Sequence, residues 1–495
     1  MEIEDNGAKL WLAVSKRDKE GVSILLNDPE VNVNWEDGGK RTPIFIACFL
    51  GYTEIVELLL KDDRVDVNKQ DRKKHATPFY AACEKGNLET VKLLLRDPRV
   101  DIKRVSQRGC TPFYVACSRG HTQLVKFFME SNLVDINESN DGEATPLYIA
   151  CQEGRTDVVK LLIHDKRIDV NKPVEGGYTP FFVACLQGNL EIFKLLFEHP
   201  DVLVEKPVSS GATPFCIACQ ENHVDIVKIF LNSHRVNINQ EKNDGATAFY
   251  LACEKGNLEI VTLLLNDNRI QTGKGKYGGF TPFFVACSHG QTEVVRHLIK
   301  DKRIDICKAI DDETTPFYIA CQGGYVDIVQ LLMNESKVDI NKPKNDGATP
   351  FYIACEKGQL GVVKLLMKDK RVDINQSRKD DASPFFISCQ EGRLEIVKWM
   401  LASEKNVLIK QKWKGGNVDG LEQARNFLLR LQTQTEDLER EKRYFDIVKL
   451  LESYEQNPEL KKFQLRKELG ILITQATQIY SLLILFSDNY LREKV

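Results

Sequence analysis

The chain has 495 residues, 42% of them hydrophobic and 28% charged, with 68 Lys and Arg against 71 Asp and Glu for a net charge of −3. That balance leaves no global basic field for nucleic acid or an anionic membrane surface, so neither is expected as a partner. The opening residues, MEIEDNGAKL, are acidic and polar, so a secretory signal is not expected there.

Residues 1–41 hold an atypical copy of the pattern that fills the chain. Ala13 precedes Ala47 by 34 residues, but Thr-Pro is missing and Lys16, Arg17, Asp18, Lys19 and Glu20 make one side polar. Such a copy is expected as the N-terminal cap of a stack, followed by a first loop.

From 42 to 416 a unit recurs eleven times. TPFYIACEKG at 349–358 reappears as TPFYAACEKG at 77–86 and TPFYVACSRG at 111–120. Thr or Ser opens the unit at 42, 77, 111, 145, 179, 213, 247, 281, 315, 349 and 383, so the first step is 35 residues and later steps are 34. A fixed period of this size predicts stacked repeats.

Within one unit, Thr349 is placed to cap a helix and Pro350 to occupy its first position. Phe351, Ile353, Ala354 and Cys355 supply the apolar content, and Gly358 ends the helix where a left-handed residue is needed. A second helix follows at 362–367 (VVKLLM), then a polar stretch at 371–382. Neither helix buries its stripe alone.

One loop departs from the pattern. Residues 271–280, QTGKGKYGGF, carry four glycines, and the preceding repeat opens Thr247-Ala248. Residues 273–278 spell GxGxxG, but a dinucleotide fingerprint needs a strand before it. Here it follows a helix and fills a repeat loop, so a flexible loop is expected, cut first after Lys274 or Lys276.

Residues 417–457 form a divergent terminal repeat. Gly420–Ala424 stands in the first-helix place, Phe445–Leu451 in the second, and a charged helical insertion lies around 425–443. Residues 458–495 are expected to cap the array as a helical tail. Its apolar run, Ile479–Phe486, is far short of the roughly 20 residues that span a bilayer.

TP-x-x-x-A-x-x-x-G, followed by I/V-V-x-x-L-L and V-D-I/V-N, resembles the ankyrin repeat over about nine-tenths of the chain. The resemblance implies an all-α solenoid of helix-turn-helix units with hairpin-like fingers before each Thr-Pro. Two departures stand out: Phe-Tyr or Phe-Phe replaces the family's Leu-His, and the units are one residue longer than its usual 33. The usual inter-repeat histidine bond is therefore not assumed.

Eleven of the fourteen cysteines share one slot of the first helix, and Cys110, Cys216 and Cys307 lie off it. Neighbouring packed helices sit about 8–10 Å apart, too far for a disulfide or a shared zinc. Reduced, buried thiols are expected, and with them a cytoplasmic location. No HExxH, P-loop, GxSxG elbow or kinase signature occurs, so neither enzyme activity, cofactor nor metal is expected.

The resemblance implies a protein-binding scaffold or adaptor, monomeric, gripping its partner with fingers and first-helix surfaces. Finger charges are segregated. KQDRKKH at 69–75 and KRVSQR at 103–108 each carry +3, whereas ESNDGE at 138–143 carries −3. The candidate partner-binding residues are Trp35, Lys40 and Arg41 of the first finger and Arg72, Lys73 and Lys74 of the second. Lys103, Arg104 and Arg108 of the third, with Glu138, Asp141 and Glu143 of the fourth, complete the set. The alternative is a membrane-associated tether using the apolar C-terminal helix.

Overall fold

Each repeat is started by one side-chain oxygen. The Thr349 hydroxyl accepts from Tyr352 N at 3.1 Å, and the same bond opens every repeat from Thr42, at 3.3 Å, to Ser383, at 3.1 Å. Proline at the next position is dispensable: Thr247 caps Ala248–Lys255 through Tyr250 N at 3.2 Å. Gly358 closes its helix at φ +78°, where a Cβ would also lie 3.1 Å from the Arg393 side chain. Loss of such a hydroxyl typically costs about 1 kcal/mol.

The computed structural model describes residues 6–433 and 437–471. Among them the chain is all-α, with 27 α-helices and no strand beyond two isolated bridges, Lys276 with Phe280 and Trp413 with Val418. Within each unit the first helix of a repeat, such as Pro350–Lys357, packs on neighbouring first helices. The second, such as Leu360–Lys368, packs on second helices. The helices divide into two units, Met1–Asn243 and Asp244–Val495. Within one repeat the core is Phe351, Ala354 and Cys355 against Val362, Val363 and Leu366, all essentially inaccessible.

Four sets of hydrogen bonds tie repeat to repeat. In seven repeats the residue after the first helix's closing turn reaches back to the preceding repeat. Asn87 Nδ2 donates to Cys48 O at 2.8 Å, His121 Nε2 to Glu84 O at 2.8 Å, and Gln359 Nε2 to Gln322 O at 2.9 Å. An Asp-x-Arg sequence then follows the second helix. Asp97 holds the Arg99 guanidinium at 2.6 Å, and Arg99 donates to Leu60 O, an orphan carbonyl of the previous second helix, at 2.7 Å. Arg303 and Arg371 do the same to Leu265 O and Met333 O. The Asn of V-D-I-N bridges to the next loop, as Asn341 does with Arg371 O at 2.8 Å and Asp373 N at 2.9 Å. Finally, most finger tips donate one backbone bond to the tip before them, as Gln107 N does to Lys74 O at 2.7 Å.

The Gly-rich segment at 271–280 is a closed hairpin of the same kind rather than a featureless loop. Lys276 N donates to Phe280 O at 3.0 Å and Tyr277 N to Asp244 O at 3.1 Å. Gly278 and Gly279 take φ +83° and +85°, and a Cβ on Gly279 would sit 3.1 Å from Ile310 Cα.

At the N-terminus, Asn6–Ser15 packs on Pro43–Leu50, and Lys19–Leu26 on Thr53–Leu60. Beyond the eleventh repeat, Gly420–Thr433 and Leu438–Gln456 lengthen the helical pair, so the charged insertion extends two helices. Tyr444 takes the place of the residue after glycine, its hydroxyl donating to Gln390 O. Pro458–Glu468 then lies against Leu394–Ala402, with Lys398 2.8 Å from Glu468. The apolar run at 479–486 lies outside the described residues. No described helix is long and apolar enough to cross a membrane.

Candidate functional site

Fingers and first helices of the first unit enclose a groove of about 440 Å³. Its walls carry the Tyr80 and Tyr114 rings and Glu84, which has only 10% of its side chain exposed. Lys74 Nζ lies 2.6 Å and Arg119 Nη2 2.9 Å from the same Glu84 oxygen. Burial alone would raise the Glu84 pKa, but the hydrogen bonds from Lys74 and Arg119 outweigh it and hold the carboxylate below its ordinary value. Lys73 and Arg108 also line it, so the lining holds four cations and one carboxylate and carries 4 − 1 = +3.

The structure brings the four charged fingers into one row. Arg72 N donates to Gly39 O, Gln107 N to Lys74 O and Asp141 N to Arg108 O, which sets the acidic fourth tip beside the basic third. Arg72, Lys73, Lys103, Arg104 and Arg108 are exposed, as are Glu138, Asp141 and Glu143. Lys40 is exposed in a left-handed turn at φ +58°.

Three residues are already engaged within the fold. Arg41 is paired with Asp37 at 2.6 Å, and its carbonyl accepts from Trp11 Nε1. Lys74 is bound to Glu84. Trp35 precedes the tip and is half-buried, 6.2 Å from the Trp11 ring in an edge-on contact and packed over Gly7. Tyr80, Glu84, Tyr114 and Arg119 were not among the residues expected from the charge pattern, because their partners lie 10 to 35 residues away. The recurring first-helix Glu of TPFYAACEKG was the available signal.

The second unit has its own groove, about 630 Å³, between the fingers and first helices that follow Asp244. Tyr250, Tyr277, Phe280, Phe284, Val285 and Ile319 line it, with Tyr277 70% exposed. Its charges pair internally: Lys276 with Asp244 at 3.5 Å and Glu254 at 3.8 Å, Lys344 with Asp312 at 3.0 Å.

Elsewhere the chemistry is quiet. All fourteen cysteines are free thiols, and the eleven of the shared slot are fully buried. Burial pushes these thiols up, Cys355 to about 12. Among the described residues no three His, Cys, Asp or Glu side chains converge as a metal-binding group.

A family model described as ankyrin repeats (3 copies) matches residues 10–106, 79–174, 169–242, 233–310, 283–380 and 317–412. The chain belongs to the ankyrin-repeat family. No curated protein matches it. As an ankyrin array it replaces the family's Leu-His by Phe-Tyr, and the tyrosine ring sinks into the stack: Tyr352 is fully buried, with the Arg378 guanidinium 5.5 Å from its centroid. The inter-repeat bond comes instead from the residue after glycine, a slot filled by Asn, His, Arg or Gln in different ankyrin repeats.

Proposed function

We propose that this ankyrin array is a protein-interaction scaffold without catalysis, and that the groove of its first unit grips a partner presenting acidic groups. One observation carries the reading: Lys73, Lys74, Arg108 and Arg119 line a groove that holds a single carboxylate, leaving an unbalanced positive surface in a chain whose total charge is −3. Charge of this kind raises the association rate and sets orientation more than it raises affinity. The acidic fourth finger gives the partner a direction, with basic or polar groups opposite Glu138, Asp141 and Glu143. The fourteen free thiols support a reducing compartment such as the cytoplasm. The scaffold is taken to act as a monomer.

The test uses Lys73→Glu with Arg108→Glu, which leaves the Lys74–Glu84–Arg119 cluster intact. A partner captured from the native cell by the wild-type chain should associate with the variant about tenfold more slowly at low salt. The salt dependence should flatten and the melting temperature should hold. An unchanged rate and salt slope would remove the basic groove from the function.

A further inference from the structure

The repeats provide their own comparison for every finger tip. The residue donating the tip-to-tip backbone bond is polar in the other fingers that make it, from Arg72 and Gln107 to Lys379 and Lys414. In the finger of 271–280 it is Tyr277, 70% exposed. Three residues on, Phe280 is 36% exposed and meets Phe284 edge-on at 5.5 Å. An aromatic pair held out into water is costly to leave uncovered. The tip that holds it is shaped by two positive-φ glycines, one of them in close approach to Ile310.

The surroundings state what would cover it. Lys276 lies over the Tyr250 ring at 5.3 Å and is shared by Asp244 and Glu254, while Lys344 is taken by Asp312. Two cations and two aspartates line the groove, so their formal charges cancel, 2 − 2 = 0. An incoming charge would be desolvated here without a surplus partner of opposite sign. An uncharged side chain meets no such penalty and removes the Tyr277 and Phe280 rings from water. The volume, about 630 Å³, falls within the range of pockets that enclose a bulky group.

We propose that this second-unit groove is a separate docking site for a protein segment whose anchor is an uncharged aromatic or large aliphatic side chain. The proposal rests on the reading of the array as a protein-binding scaffold but not on the basic groove. The array would then hold two chemically distinct segments, an acidic one in the first unit and an apolar one in the second. A buried aromatic contact of this type acts mainly on dissociation.

The full-length chain is panned against a phage-displayed library of random 16-residue peptides. Counter-selection uses the full-length Tyr277→Ser variant, serine being the residue of the 209 finger. Enriched peptides should carry an uncharged aromatic or aliphatic anchor and little net charge. They should bind wild type at least tenfold tighter than Tyr277→Ser, with the difference in dissociation rate. They should bind the Lys73→Glu, Arg108→Glu variant as tightly as wild type, and Tyr277→Ser should melt with wild type because Tyr277 is exposed. Failure to enrich peptides above a protein-free control, or selection of charged peptides that bind Tyr277→Ser equally, would overturn the site while leaving the basic groove standing. Sedimentation equilibrium showing self-association that Tyr277→Ser abolishes would overturn it too, by making a second copy the occupant.

Discussion

Cys253 is fully buried in the first helix of its repeat, and its thiol is raised well above the ordinary cysteine value by burial. Its role is to be small. Cys253→Leu should cost roughly 1–3 kcal/mol by overpacking, and Cys253→Ala should cost less, measured by denaturant melts. A leucine variant as stable as wild type would show slack at the stacking surface. The slot was legible because the same residue type returns every 34 residues, and a ladder of that spacing fits packing better than bridging. Glu84 was not legible as a groove residue, because Lys74 and Arg119 reach it from different repeats and no local pattern joins the three.

At the scale of the element, the helical pairs and their caps follow from Thr-Pro at the start and Gly at the end. The segment joining second helix to finger reads as merely polar, yet it carries the Asp-x-Arg pair that reaches the previous second helix. Asp62, Asp97, Asp165, Asp301 and Asp369 are each held below the ordinary aspartate value of 3.8, first of all by the hydrogen bond from the arginine two residues on. Asp380 falls to about 2 through Arg378, helped by Trp413 Nε1 at 3.0 Å. A depressed folded pKa contributes stability that is present above the unfolded value and lost as pH falls through the folded one. Melting temperature should therefore vary little from pH 7 to about 5 on account of these groups, then drop below about pH 4 as they protonate. Asp97→Asn should lose at most about 1 kcal/mol at pH 7, and its deficit against wild type should shrink as pH falls below the ordinary aspartate value. A deficit that persists unchanged into acid would assign the loss to packing rather than to the carboxylate.

For the whole molecule, a stacked array is only as continuous as each nearest-neighbour interface, so one degraded interface opens without the rest. The Gly-rich finger reads from its sequence as the weak place, and the structure locates the weakness differently. The hairpin tip is closed and the Lys276 side chain is held by Asp244 and Glu254. The bridging asparagine is replaced by Lys103 and Glu205 in the first unit, but here Gly273 occupies its place with no side chain to bridge, and Thr272 Oγ1 makes a 3.4 Å contact to Arg303 O. One repeat later Cys307 stands in the same slot. Trypsin should therefore cut first after Lys274, not after Lys276. Gly273 has an ordinary φ, and a Cβ there meets nothing within 4 Å, so an asparagine fits. Gly273→Asn should reach Arg303 O and Asp305 N as Asn341 reaches Arg371 O and Asp373 N. A regained hydrogen bond is worth roughly 0.5–1.5 kcal/mol and the removal of glycine freedom about 0.4–1. Where cleavage follows the open population, that sum slows the cut after Lys274 by about tenfold. Mass spectrometry of a timed digest reads the result. First cuts within 69–75, or an unchanged rate in Gly273→Asn, would mean that finger charge rather than the missing bridge decides where the array opens.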